Sequence, residues 1–311
     1  MYNEEAVCAR FFDAIVPILE NITPRYEIIC VNDGSRDNTL HALRDANRRN
    51  ANIRIIDLTR NFGKELALTA GLDFARGAAV IPIDADLQDP PEIIPQLVAK
   101  WREGYDMVLA KRSDRRGDSA LKKLTAGLFY RLMGRIGEIP IPTDTGDFRL
   151  LDRKVVDALQ HLPERTRFMK GLFAWPGFTQ TTVTYSRPAR AAGESKWKFW
   201  RLWNLALEGV VSFSTLPLRI WTYVGLTMAV FALGYIVFIV GRFLLLGVDV
   251  PGYASLIVVM LFFSGLNMIG LGILGEYLAR IFIEVKQRPL YLIRETIGFD
   301  AVSTPSRDDR R

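Results

Sequence analysis

The apolar residues of this 311-residue chain follow two regimes. Up to about residue 112 they come in short β-branched runs, Tyr26–Val31, Ile53–Leu58, Ala78–Ile83 and Asp106–Lys111, each of strand length and bounded by turn residues. Between these runs, at Thr39–Asn50, Lys64–Arg76 and Pro91–Glu103, apolar positions recur at helical spacing. Strands alternating with helices predict a Rossmann-like α/β domain with a mainly parallel sheet, because parallel neighbours need a crossover and the helices supply it. In such sheets ligands collect outside the carboxyl ends of the strands. Those ends carry Asn32-Asp33-Gly34-Ser35, Arg60-Asn61-Phe62-Gly63 and Asp84-Ala85-Asp86.

The second regime begins after a basic, Gly- and Pro-broken stretch at 113–190 whose pattern is less regular. From Lys196 onward, Trp197, Trp200 and Trp203 recur every three residues with Lys198 and Arg201 between them. That is the pattern of a helix lying in a membrane interface, with a soluble amphipathic helix packed on the domain as the plainer alternative. Ile220–Gly241 and Tyr253–Gly275 contain no charged residue. At ~1.5 Å per residue each reaches roughly 30 Å, so two transmembrane helices are predicted. Their short connector, with Gly247, Pro251 and Gly252, makes a hairpin whose flanks lie on one side. Arg219 before the first span, and Arg280, Lys286, Arg288 and Arg294 after the second, place that side in the cytoplasm; Arg242 and Asp249 mark the far surface. Asn267 reads as an interhelical hydrogen-bonding group, and Gly225 with Ala229 as a small-residue packing face compatible with a homo-oligomer. The expected division is an α/β domain at 1–190, amphipathic juxtamembrane helices at 191–219, membrane helices at 220–246 and 253–279, and a cytoplasmic tail at 280–311 that frays beyond Phe299.

Composition narrows the chemistry. With 49% hydrophobic and 24% charged residues the chain is not disordered, and a mean hydropathy of +0.11 agrees with apolar residues segregated into one region. Two cysteines, Cys8 and Cys30, and two histidines exclude a disulfide framework and a His/Cys zinc site, so any metal must sit on carboxylates. The net charge of +6 is modest, and the basic residues cluster near 111–135 and 187–201. A local anionic partner, phosphate or anionic lipid, therefore fits better than nucleic acid. No charged n-region with a short apolar core and cleavage site opens the sequence, so a signal peptide is not evident from it.

Two clusters carry candidate chemistry. Asp84 and Asp86, two residues apart at a strand end, can present carboxylates to one side, the hard oxygen ligands that Mg²⁺ or Mn²⁺ takes together with a substrate diphosphate. Paired acids are also ordinary solvated turn residues, but Asp89-Pro90-Pro91-Glu92 follows directly and signals a helix start. In Asn32–Thr39 the residues Asp37 and Thr39 are good helix caps and Gly34 suits a tight turn, while Asp33 can accept a base N–H from a pyrimidine nucleotide.

Tyr2-Asn3-Glu4-Glu5, Val31-Asn32-Asp33-Gly34-Ser35, Asn61-Phe62-Gly63-Lys64 and Asp84-Ala85-Asp86-Leu87-Gln88-Asp89-Pro90-Pro91-Glu92 resemble the family 2 glycosyltransferases of the GT-A fold. Gly146-Asp147-Phe148-Arg149-Leu150, Arg167-Phe168-Met169-Lys170-Gly171 and Phe213–Arg219 extend the resemblance to the polyisoprenyl-phosphate glycosyltransferases, which include bacterial undecaprenyl-phosphate glucosyltransferases and dolichol-phosphate mannose synthases. It covers Tyr2 to about Arg288. The resemblance implies a nucleotide-sugar site at Tyr2, Glu4, Asp33, Lys64 and Asp84, and a Mg²⁺ or Mn²⁺ site at Asp84, Asp86 and Gln88. It further implies a polyprenyl-phosphate grip at Arg112, Lys122, Lys123 and Thr125, and a reacting centre at Asp86, Asp147 and Arg112. A hydroxyl expected near the basic loop falls on Ala126, which leaves Thr125 as its stand-in; Asp147 is expected to position the acceptor, to act as a base, or simply to pair with Arg149.

A phosphate acceptor suits direct displacement at an anomeric carbon. With a second pKa near ~6 its oxygen is largely ionised at neutral pH, so the catalytic task is to bring two anions together and stabilise the departing diphosphate. The expected function is inverting transfer of a hexose, from UDP-glucose in the first instance, to undecaprenyl phosphate at the cytoplasmic face of the inner membrane, in cell-envelope glycan assembly. A processive polysaccharide synthase would need a Gln-x-x-Arg-Trp motif and more spans, neither of which the sequence contains. A non-catalytic membrane scaffold would have no use for Asp84, Asp86 and Gln88 in register with Asp33. In relatives a strand leads into the Tyr-Asn-Glu-Glu motif, which here starts at Tyr2, so the true translation start is expected upstream.

Overall fold

The structure, a computed structural model, describes residues 1–112, 145–162, 164–167, 169–185, 216–246 and 252–299. Helix α1 (Glu5–Ile22), absent from the sequence reading, buries Cys8, Phe11, Phe12 and Ile15, a three-to-four spacing that defines one face. Then follow β1 (Ile28–Asn32), α2 (Thr39–Arg49), β2 (Ile53–Leu58), α3 (Lys64–Phe74), β3 (Ala79–Val80), a 3₁₀ turn at Pro91–Ile93, α4 (Ile94–Arg102) and β4 (Met107–Arg112). The 145–185 stretch holds β5 (Thr145–Asp152), α5 (Arg153–His161), α6 (Met169–Ala174) and β6 (Gln180–Tyr185). Two long helices, α7 (Leu216–Leu246) and α8 (Tyr253–Lys286), precede a last strand, β7 (Ile293–Ile297).

The strands form two sheets, ordered β1-β2-β7 and β3-β5-β4-β6. Parallel pairing joins β1 to β2, with Ile28 opposite Ile53, and β4 to β6, with Met107 opposite Gln180. The other pairings, β2 with β7, β3 with β5 and β4 with β5, are antiparallel. The α/β layering therefore holds while the mainly parallel sheet is corrected to a mixed one. The expected strand Ala78–Ile83 shrinks to Ala79–Val80, because only those two residues find partners, on β5. Met1 lies along β1, its amino group donating to the Val31 carbonyl and its own carbonyl accepting the Asp33 N–H.

Alternation along the strands sorts the core onto two faces. Ile55, Val108 and Leu150 pack with Phe11, Leu43 and Leu97 of α1, α2 and α4. Ile56 and Leu58 face Ala67, Ala70 and Phe74 of α3 instead, and Met107 and Leu151 face Val155, Leu159 and Phe173 of α5 and α6. The helices thus cover both faces and leave the strand ends to the loops.

Helices α7 and α8 have 31 and 34 residues and enclose the uncharged stretches of the sequence. Their described side chains are largely exposed, Leu245 at 84%, and they meet where a Cβ at Gly270 would overlap the Trp221 indole. On the described residues no helix is long and apolar enough to cross a membrane, and several side chains within α7 and α8 lie outside that description. Beyond α8 the chain returns to the α/β domain. Tyr291 donates to Asp73 of α3, Leu292 accepts the Thr59 N–H, Arg294 bonds Asp57, and the Phe299 ring meets Phe74 edge to face at 5.3 Å. Within the segment expected to be the cytoplasmic tail at 280–311, residues Ile293–Ile297 contribute an edge strand. The amphipathic run at 191–215 and the connector at 247–251 lie outside the described residues.

Candidate active site

Two loops are clasped together at the carboxyl ends of β1 and β2. The buried Asp33 carboxylate accepts the Phe62 N–H at 2.7 Å on one oxygen and the Gly63 N–H at 3.0 Å on the other. Gly34 follows at φ +66, and a Cβ there would come within 2.5 Å of the Asn61 backbone nitrogen. Only glycine allows this approach, since a side chain would meet both the left-handed backbone penalty and rigid main chain. Asp33, assigned to a nucleotide base on sequence, is thus first a loop clasp. Each carboxylate oxygen keeps a second lone pair for a ligand.

The 2–5 segment is fastened to the 35–39 loop. Asn3, at φ +54, accepts the Arg36 N–H, its own N–H bonds the Ser35 hydroxyl, and the Glu4 N–H bonds the Thr39 hydroxyl. These bonds bring Glu4 to the Asp84–Asp86 loop, while the Tyr2 ring stays 42% exposed on the rim.

Lys64, first residue of α3, binds the Asp84 carboxylate at 2.7 Å and the Asp147 carboxylate at 2.8 Å. Burial works against its charge, but the two acids win and hold the ammonium well above its ordinary pKa. Asp147, on β5, therefore pairs with Lys64, while the buried Arg149 donates to the Gly146 carbonyl and stacks its guanidinium over Phe173 at 4.2 Å. Burial lowers the Arg149 pKa to about 10.

Next to Lys64 stands Glu65, which sequence reasoning missed. Burial, reinforced by the Asp147 charge, raises its carboxyl to about 7, while the Met169 backbone N–H donates to it. Among the described residues its buried Oε2 finds no hydrogen-bond partner. Lys170, from the start of α6, is lowered by burial and shares this neighbourhood with Asp147, Glu65, Arg149 and Lys64. On sequence Glu65 is only an acid in the first turn of a helix, where the macrodipole favours one anyway, so nothing marked it.

Asp86 accepts the Gln88 backbone N–H at 3.1 Å, with Leu87 at φ +54 between them. Among the described residues no group of three or more His, Cys, Asp or Glu is placed to hold a metal ion. The donors are thus two carboxylates and the Gln88 amide, a sparse set that fits Mg²⁺ or Mn²⁺ when a substrate diphosphate and water complete the shell. Glu4 lies near this pair: burial raises its pKa, and the Asp86 charge raises it further.

Arg112, at the end of β4, is drawn toward Asp89 and Tyr185: its Nη2 lies 3.4 Å from Asp89, its Nε 3.3 Å from the Tyr185 hydroxyl, and that hydroxyl also donates to Asp89. Part of its guanidinium fork is therefore engaged within the protein. Lys122, Lys123 and Thr125 lie outside the described residues.

A layered α/β domain with a mixed sheet, a clasped nucleotide-type loop and an Asp-x-Asp pair beside Lys64 and Asp147 has the build of a GT-A glycosyltransferase. The glycosyl transferase family 2 profile matches residues 1–160, and the chain belongs to that family of enzymes. It is 55% identical over 300 residues to an uncharacterized glycosyltransferase of Synechocystis, covering 96% of this chain and 94% of the relative. It is 48% identical over 296 residues to an SfII prophage-derived bactoprenol glucosyl transferase of Shigella flexneri, covering 95% and 96%. Among solved structures, a mannosyltransferase of Pyrobaculum calidifontis in complex with GDP-Man and Mn²⁺ superposes with a TM-score of 0.43 at 16% identity, covering 92% of this chain and 84% of that one.

Proposed function

We propose that this glycosyltransferase moves glucose from a nucleotide sugar, UDP-glucose in the first instance, to a polyprenyl phosphate at the cytoplasmic face of the inner membrane. The observation that carries the reading is the Asp84–Lys64–Asp147 bridge, which ties the Asp-x-Asp loop to an acid from β5 at the strand ends. The bactoprenol glucosyl transferase, alike across nearly its whole length, supports the sugar and the acceptor. A scaffold would not need this arrangement.

In this mechanism an ionised acceptor oxygen attacks the anomeric carbon as the bond to the nucleotide diphosphate breaks, with inversion, and the electron pair leaves on the diphosphate. No proton need be removed from an already ionised phosphate. Asp33, braced by the Phe62 and Gly63 amides, holds the nucleotide end, Asp84, Asp86 and Gln88 would hold the cation, and Lys64 fixes Asp147. When bound, Mg²⁺ or Mn²⁺ supplies charge stabilisation of the leaving group. The Arg112 guanidinium fork would point the acceptor phosphate toward this centre.

Helices α7 and α8 are read here as spanning the membrane as a hairpin. Their 31- and 34-residue lengths, uncharged stretches and exposed apolar side chains support that reading, and the Gly225–Ala229 face would serve a homo-oligomer. The test is UDP release by purified protein. Release is expected only when undecaprenyl phosphate and a divalent metal are both supplied, with a hexosyl lipid found by mass. Equal release without lipid, or in chelator, overturns the reading.

A further inference from the structure

Glu284, in the last turn of α8, reaches into the catalytic domain. Its Oε1 accepts the Arg165 N–H at 2.8 Å and the Thr166 N–H at 3.3 Å. The Arg165 guanidinium completes the contact by donating to the Arg288 carbonyl, just beyond the helix. The held loop, 164–167, is braced from within by the buried Arg167, which donates to the Leu162 and Glu164 carbonyls.

That loop leads into α6. Met169 opens the helix fully buried, its sulfur 3.9 Å from the Thr69 hydroxyl of α3 and its backbone N–H donating to Glu65. Lys170 follows, among Asp147, Glu65, Arg149 and Lys64. One short run of chain therefore connects the end of α8 to the reacting centre. Glu284 is not needed to end its own helix through its side chain, because Gln287 in left-handed conformation caps α8 by bonding the Glu284 carbonyl.

We propose that Glu284 is a positioning residue for sugar transfer: by holding the Arg165 and Thr166 amides it sets the placement of α6, and so of the Met169 amide and Lys170, against Glu65 and Asp147. It acts on the geometry of the reacting groups and touches no substrate, so its loss falls on kcat. Misplacing a catalytic group by an ångström costs up to ~10²-fold in rate, so a loosened brace costing about tenfold is in scale. The proposal rests on the glycosyl-transfer reading only for the activity arm of its test.

Three variants of the full chain separate the brace from simple charge. E284A removes the acceptor; E284D keeps the charge but withdraws the oxygen by one methylene; E284Q loses the charge but keeps a carbonyl oxygen able to accept both N–H groups. E284A and E284D are expected to exchange the amides of 165, 166 and 169 at least about tenfold faster than wild type, while E284Q stays near wild type. In UDP-glucose turnover kcat falls about tenfold in the first two, with the sugar-nucleotide KM within about twofold, and E284Q restores kcat. Faster exchange at 165 and 166 with Met169 still protected overturns the coupling, as does E284Q being as impaired as E284A, or E284A keeping full kcat. If wild-type protein transfers no sugar, the functional reading fails, and the joint loosening of 165, 166 and 169 still decides the proposal.

Discussion

Among the described residues Asp86 accepts the Gln88 backbone N–H, a bond that asparagine can make equally. Asp86→Asn should therefore fold normally while losing the carboxylate charge a cation needs. Turnover is expected to fall by at least ~10²-fold, a leaving-group effect of several kcal/mol. Near-wild-type turnover, with an unchanged thermal midpoint, would remove Asp86 from the reacting centre. Glu65 makes a prediction about stability. Its native pKa of about 7 exceeds the ordinary 4.5, so between those values the folded chain binds a proton that the unfolded chain releases. Its contribution thus costs stability as pH rises through that window, on the order of 3 kcal/mol above pH 7. Glu65→Gln should consequently be more stable than wild type at pH 8 and equal to it below pH 4.5. Denaturant midpoints at the two pH values check this, and an equal offset at both would rule out the titration.

At the scale of elements, the β1–α2 and β2–α3 loops depend on one another. Gly34→Ala puts a Cβ against the Asn61 backbone nitrogen at a φ of +66, and neither backbone can yield locally. A loss of at least about 2 kcal/mol is expected, read as a lower thermal midpoint together with a raised KM for the nucleotide sugar, because Asp33 moves with the loop. These loops were legible in the sequence, since strand, turn glycine and cap residues follow one another within a few positions. The Asp84–Lys64–Asp147 bridge was legible as residues but not as geometry: Lys64 and Asp147 come from α3 and β5, and no local pattern encodes their meeting. The elements at 145–185 were missed because Gly and Pro break up the stretch, although Val155, Val156 and Leu159 of α5 keep a helical spacing that marks one buried face. β7 was hidden for another reason. Ile293–Ile297 is short and half polar, and it becomes a strand only because Ile55 to Leu58 of β2 offer it an edge.

For the whole molecule, topology is the quantity to measure. The catalytic domain and Arg294 are expected on the cytoplasmic side, with only the α7–α8 connector exposed beyond the membrane. Both native cysteines are buried, so a single introduced cysteine gives a clean signal. In intact cells an impermeant reagent should label cysteine at Asp249 and spare cysteine at Ser303; the reverse pattern refutes the orientation. The pairing of β7 with β2 carries a further consequence. Because Ile297 lies opposite Ile55, α7 and α8 are not an appendage hung from a finished domain but an excursion from which the chain rejoins it. Loop closure across so long an excursion is entropically slow, and the edge of β2 stays unsealed on the nascent chain until α8 has been synthesised. The catalytic sheet is therefore completed last, by residues made after both long helices, and a chain stalled between them presents an open strand edge to its neighbours.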